Sequence, residues 1–123
     1  MDTVTRTAVL DAPIERVWQA ITEGDALAAW LDSSVDIDVR PGGVGRVGSR
    51  SVLVTEVDDG RHLSMLWWDE ADGVVTSVDF TISPLVTGTE FTVTERLTGG
   101  PVASLRWGGA CARLSSMVAP VYA

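Results

Sequence analysis

Residues 11–31, Asp-Ala-Pro-Ile-Glu-Arg-Val-Trp-Gln-Ala-Ile-Thr-Glu-Gly-Asp-Ala-Leu-Ala-Ala-Trp-Leu, constrain the fold of this chain more than any other stretch. Ile14, Val17, Trp18 and Ile21 recur at i, i+3, i+4 and i+7, which puts them on one side of a helix. Pro13 suits the first turn, where no intrahelical donor is lost, and Glu15 adds favourable charge near the positive helix end. Gly24 interrupts the run. Asp25 is then placed to cap a second short helix whose buried side carries Leu27, Trp30 and Leu31. Two short helices bearing two tryptophans, set between one strand and a long series of strands, have to lie against a sheet.

The flanking pattern supplies that sheet. Residues 3–10 alternate well enough for a first strand. After the helices, Val35, Ile37 and Val39 alternate with polar positions up to Arg40-Pro41-Gly42-Gly43. A weak, glycine-rich strand is expected over Arg46 to Ser49, and a stronger one over Ser51 to Val57, closed by the hairpin signal Asp58-Asp59-Gly60. Arg61 to Trp68 follows, closed by Asp69-Glu70-Ala71-Asp72-Gly73. Val74 to Ser83 and Thr89 to Leu97 complete the series, with a turn expected over Pro84 to Gly88. Connections this short make neighbouring strands antiparallel.

Alternation decides which side chains share a face. Leu63, Met65 and Trp67 fall together, as do Val74, Thr76, Val78, Phe80 and Ile82, and then Phe91, Val93 and Glu95. The opposite face carries Ser77, Asp79, Thr81, Thr92, Thr94 and Arg96, so one face needs a cover and the other does not. Thr98-Gly99-Gly100-Pro101 reads as a break, after which Ala103 to Val118 reads as a helix with Trp107, Cys111, Leu114 and Val118 in one stripe, stopped by Pro120. Gly108 and Gly109 weaken that helix by roughly 1 kcal/mol each relative to alanine. The expected fold is α+β: a curved antiparallel sheet of about six to seven strands, two short helices after the first strand, and a C-terminal helix held by the sheet.

Size and charge set the outer bounds. The 123 residues form one domain, long enough to bury a core without staples or metal, and a hydrophobic share of 46% excludes an intrinsically disordered chain. A net charge of −8 argues against nucleic acid and against anionic membrane surfaces as partners. No apolar run is long enough to span a bilayer and no export signal opens the sequence, so a cytoplasmic location is the expectation. The single cysteine allows no internal disulfide. All nine basic residues are arginine, which excludes Schiff-base chemistry on a lysine.

Asp11-Ala12-Pro13 followed by Val17-Trp18, then Thr22 and Trp30, resembles the opening signature of the START-like (SRPBCC) superfamily. Arg40-Pro41-Gly42-Gly43, the hairpin leading to Leu63 and Trp67, and Gly88-Thr89 before a threonine-rich strand resemble, within it, the branch named for activators of the heat-shock ATPase chaperone. The resemblance covers nearly the whole chain and implies a helix-grip fold, in which the sheet grips the last helix around an apolar cavity. One departure concerns that helix. The tryptophan–glycine pair is Trp107-Gly108, and alanine and serine stand at several positions where bulkier residues are usual, which bears on ligand size more than on fold.

The residues expected to line such a cavity are Trp30, Met65, Trp67, Val78, Phe80, Phe91, Glu95, Trp107, Cys111 and Leu114. Aromatics supply large apolar area, and a tryptophan adds one donor. Glu95 shares its face with Phe91 and Val93; buried there, its carboxylate needs a partner, a set of hydrogen bonds or protonation. It is either the main polar anchor of the pocket or a structural partner of an arginine. Arg40, Arg46 and Arg50 cluster in sequence, either to meet an anionic group at the cavity mouth or to pair with nearby acids. Trp18 reads as core. Trp68 points to the other face, as a subunit contact (a homodimer) or as hairpin shielding.

His62 is the single histidine, and no nucleophile elbow accompanies it. With one histidine, one cysteine and no ligand spacing, neither zinc nor another cofactor is expected. Pro41 to Arg46 lacks the ending of a phosphate loop and reads as a turn. The first functional expectation is therefore non-enzymatic binding of a small hydrophobic molecule. The others are a chaperone-regulator or protein-interaction role, as the branch name implies, and an enzyme of the cyclase or dehydratase kind in which Glu95 or His62 moves protons.

Overall fold

The computed structural model describes residues 3–31, 34–69, 71, 73–97 and 106–118, the side chains of 106–109 excepted. Along the chain run β1 (Thr3–Leu10), α1 (Ile14–Thr22), α2 (Gly24–Leu31), β2 (Val35–Ile37), β3 (Val44–Val47), β4 (Arg50–Asp58), β5 (His62–Trp68), β6 (Val75–Leu85), β7 (Gly88–Leu97) and α3 (Arg106–Val118). The strands form one antiparallel sheet in the order β1-β7-β6-β5-β4-β3-β2. β1 and β2, consecutive strands in sequence, therefore lie at opposite edges. The segment joining them has to cross the whole sheet, and that segment is α1 and α2. This topology forces the two helices over one face.

The predicted alternation holds along the long strands. Leu63, Met65 and Trp67 of β5, Thr76, Val78, Phe80 and Ile82 of β6, and Thr89, Phe91, Val93 and Glu95 of β7 are all buried on the inner face. Pairing aligns them into rungs: Val54, Met65, Val78, Glu95 and Val4 form one, and Val52, Trp67 and Thr76 the next toward the sheet end. A bulge between Val54 and Glu56 shifts the β4–β5 register, a device that bends a sheet.

The helices close the inner face. Val17, Ala20 and Ile21 of α1 and Leu27 and Trp30 of α2 are buried, with Ile14, Trp18 and Leu31 packed at the margin. The Trp30 ring meets Phe80 and Phe91 at centroid distances of 5.5 and 5.8 Å, and its Nε1–H donates to the Ala20 carbonyl at 2.9 Å. α3 buries Ala110, Cys111, Leu114 and Val118 against α2 and β1. Two arginines bind helix C-termini, where carbonyls lack intrahelical partners. Arg113 of α3 donates to the Trp30 carbonyl at 2.9 Å, and Arg16 of α1 donates to the Val118 and Met117 carbonyls at 3.2 Å each.

Three local expectations need correction. Asp25 does not cap α2. The break is the single extended residue Glu23, whose carbonyl already accepts from Leu27, so Gly24 is helical and Asp25 sits in the first turn. β3 runs over Val44–Val47 rather than Arg46 to Ser49, because Gly48, at φ +58°, and Ser49 make the turn into β4. Pro84 lies in β6 rather than in the turn, paired with Thr89. The Ile82 amide bonds Arg61 beside the start of β5, so two residues further on β5 offers no partner that a proline would forfeit. The expected break at 98–101, the helix start at 103–105, the stop at Pro120, and Glu70 and Asp72 lie outside the described residues.

Gly88 is required where it stands. Its φ is +114°, and a Cβ there would run into the Leu10 carbonyl oxygen at the end of β1. The neighbouring Thr89 hydroxyl donates to the Ala12 carbonyl at 2.8 Å, so this corner ties the first strand, the loop into α1 and the last strand together.

Candidate functional site

Most of the inner face is satisfied core, but one end of it is polar. At the start of β7, Thr89 is buried and its hydroxyl is hydrogen-bonded. At the other end of the same row, Glu95 is 2% exposed on a rung otherwise made of Val54, Met65, Val78 and Val4. Its Oε2 lies 3.8 Å from Nη1 of Arg50, whose side chain is 27% exposed. Arg50 shares the alternation of Val52 and Val54 and so points inward from the start of β4. Two strands stand between β4 and β7 in the sheet, and strand spacing is about 4.8 Å, so the two long side chains meet across its concave side.

Next to this pair, Arg50, Trp67, Trp68, Asp69, Val74 and Thr76 line a hollow of about 40 Å³. Thr76 is 6% exposed, and its hydroxyl has no hydrogen-bond partner among the described residues. A buried hydroxyl left without a partner costs about 1–3 kcal/mol. The end of the sheet therefore combines an inward cation, a buried carboxylate, an unanswered hydroxyl and the Trp67 indole, an arrangement a purely structural core does not need.

Of the residues expected to line a cavity, Trp30, Phe80 and Phe91 are brought together as a three-ring cluster, with Phe80 and Phe91 5.6 Å apart. Met65, Val78 and Leu114 are buried. Trp67 and Glu95 reach the polar end. Cys111 is buried on α3, and that burial pushes its thiol pKa up, with the charge of Arg6 opposing the shift. An activated thiol would show the reverse. The Trp107 side chain lies outside the described residues. Of the arginine cluster, Arg40 pairs with Asp38 at 2.6 Å at the surface and Arg46 donates to the Ser49 carbonyl at 3.3 Å, leaving Arg50 as the member that enters the site. Thr76, placed on the inner face by its alternation, is the site residue that the sequence did not single out, and Arg50 was singled out only as one of three clustered arginines. The signal for both was alternation, since each falls in phase with inward neighbours.

The outer face carries a second polar group. His62 Nε2 lies 2.6 Å from the Ser64 hydroxyl and 3.0 Å from Asp79 Oδ1, and the Ser64 hydroxyl donates to the same Oδ1 at 2.5 Å. A relay would need the serine and the carboxylate on different ring nitrogens. Here one nitrogen faces both, so the cluster staples β5 to β6. Outside the sheet, an open groove of about 500 Å³ runs between α2 and α3 along Ala29, Ala112, Arg113, Ser116 and Met117.

The sequence profile of the family described as activator of Hsp90 ATPase homolog 1-like protein matches residues 11–110. Among proteins of curated function, none matches the chain. Solved structures of similar fold include protein CV1439 from Chromobacterium violaceum, 22% identical over 97% of this chain and 98% of that one, with a TM-score of 0.84. DynU16, a protein of the dynemicin biosynthetic locus, is 25% identical with a TM-score of 0.83; the match covers 94% of this chain but 46% of DynU16. CalU16 from Micromonospora echinospora is 22% identical over 96% of this chain and 76% of that one, with a TM-score of 0.80. At these identities the likeness is one of fold.

Proposed function

Since the chain belongs to the family of activator of Hsp90 ATPase homolog 1-like proteins, with the helix-grip fold of the START-like (SRPBCC) superfamily, we propose that it binds a small, largely hydrophobic molecule between the inner face of its sheet and the C-terminal helix. The observation that carries this reading is the buried polar end of an otherwise apolar face. Glu95, Arg50 and Thr76 occupy inward positions that a core alone would fill with aliphatic side chains. Apolar contact supplies most of the affinity, at about 25 cal/mol per Å² buried, from which the cost of association is subtracted. The polar groups set orientation. Trp67, buried on the inner face and lining the hollow at its polar end, serves as the reporter.

Native mass spectrometry of the freshly purified protein tests the reading directly. A passenger of small mass, released on denaturation, is the expected result, as is quenching of tryptophan fluorescence by added apolar compounds that diminishes in Trp67→Phe. A bare polypeptide mass together with fluorescence indifferent to a panel of apolar compounds would overturn it.

A further inference from the structure

We propose that the open groove between α2 and α3 binds a small apolar molecule carrying a single carboxylate, held by Arg113; this site is separate from the inner face and does not rest on ligand binding there. The groove, of about 500 Å³, is lined by Ala29 of α2 and by Ala112, Arg113, Ser116 and Met117 of α3. That volume falls within the range of small-molecule sites, about 300–1,000 Å³. The short side chains of Ala29, Ala112 and Ser116 leave room between the helices, and the flexible thioether of Met117 gives a wall that adapts to an apolar body.

Charge decides what that body carries. Among the described residues Arg113 is the one charged side chain of the lining, and no carboxylate pairs with it. Its Nε–H donates to the Trp30 carbonyl at 2.9 Å, which anchors the guanidinium at the C-terminal end of α2. The N–H groups on its two terminal nitrogens have no hydrogen-bond partner among the described residues, and they form the planar fork that fits a carboxylate. Ser116, three residues further along α3 and so on the same helix face, adds a hydroxyl donor. A cationic ligand would meet Arg113 with like charge, and a wholly apolar one gains nothing from the fork. Beyond Met117 a smaller pocket of about 150 Å³ carries Glu23, and its Arg16 is already engaged by the Met117 and Val118 carbonyls, so the anionic end belongs at Arg113. A second copy of the chain is the less favoured occupant, because two chains of net charge −8 repel each other.

Three probes of one shape test this: 2-naphthoate, 2-naphthamide and the cation 2-naphthylmethylammonium, titrated near neutral pH into the full chain and followed by protein-observed NMR. 2-Naphthoate is expected to bind at least about tenfold tighter than the amide, the scale of a hydrogen bond to a charged group, and to shift the backbone amides of Ala29, Ala112 and Ser116. The cation is expected to bind least. Arg113→Gln removes the preference for the acid. Because Arg113 also ties α3 to α2, Ala112→Leu gives an independent check. It fills the groove from an exposed position and should weaken 2-naphthoate at least about tenfold with Arg113 in place. Equal affinities for acid and amide, shifts that map to Trp67 and the inner face instead, or no saturable binding of 2-naphthoate each overturn the proposal, and none of them counts against ligand binding at the inner face. Dimers in native mass spectrometry whose contacts shift the same α2 and α3 amides would assign the groove to a second copy and overturn it as well.

Discussion

Arg50, at the start of β4, and Glu95, near the end of β7, form an ion pair at 3.8 Å across the concave side of the sheet, although two strands separate them. Glu95 is nearly sealed from water and Arg50 is not, so removing either partner should have unequal consequences. Arg50→Met removes the Arg50 cation from beside a buried carboxylate. Breaking a fully buried pair costs about 3–5 kcal/mol, and the long, part-exposed geometry here reduces the expectation to about 1–2 kcal/mol. Adding Glu95→Gln to Arg50→Met should recover at least half of that loss, because the buried negative charge is then gone. A double-mutant cycle in urea measures this, and a double variant no more stable than Arg50→Met alone would contradict it.

Trp30 is the keystone of the cover, touching Phe80 and Phe91 while its indole N–H holds the Ala20 carbonyl. Trp30→Phe keeps an aromatic ring but leaves a void and an unanswered carbonyl on α1, for an expected loss of about 2–4 kcal/mol. Trp30→Ala should cost at least as much as the upper end of that range. Equilibrium denaturation should show a lower midpoint with an unchanged slope, since the defect is in packing and not in the extent of the fold.

The inner rows of β5, β6 and β7 were legible because burial on one face writes itself into alternation, and Leu63 to Trp67 or Phe91 to Glu95 leave no other phase. The Arg50–Glu95 pair was not legible. It depends on which strands neighbour each other and on how far the sheet bends, and neither is a local property. Beginning β4 at Ser51 also left Arg50 one residue outside the pattern that would have marked it as inward. Arg16 and Arg113 escaped notice for a related reason. Each binds the end of a different helix, and a partner 83 or more residues away leaves no trace in a periodicity window.

Gly88 and Gly60 both hold positive φ, at +114° and +76°, but in different surroundings. A Cβ at Gly60 meets open space, so Gly60→Ala should cost only the backbone term, about 1 kcal/mol. A Cβ at Gly88 meets the Leu10 carbonyl, so Gly88→Ala has to displace β1 from β7 as well. We expect Gly88→Ala to exceed Gly60→Ala by at least about 1–2 kcal/mol. Thermal unfolding of the two variants side by side checks this, and equal losses would mean that the β1–β7 corner yields easily.

Cys111 gives the chain a predictable alkaline response. Burial raises its thiol pKa above the ordinary value of 9.0, with the charge of Arg6 pulling weakly the other way. As pH rises past that ordinary value, the unfolded chain loses the proton first, so the folded state holds more protons and stability must fall. The contribution of the buried thiol is therefore complete below pH 9.0 and is lost as pH climbs through the folded-state value. Cys111→Ala deletes the titration. The urea midpoint of the unaltered protein should decline more steeply than that of Cys111→Ala between about pH 8 and pH 10.5, while groups common to both cancel. Parallel declines would show that the thiol is as free to ionise in the folded state as in the unfolded one.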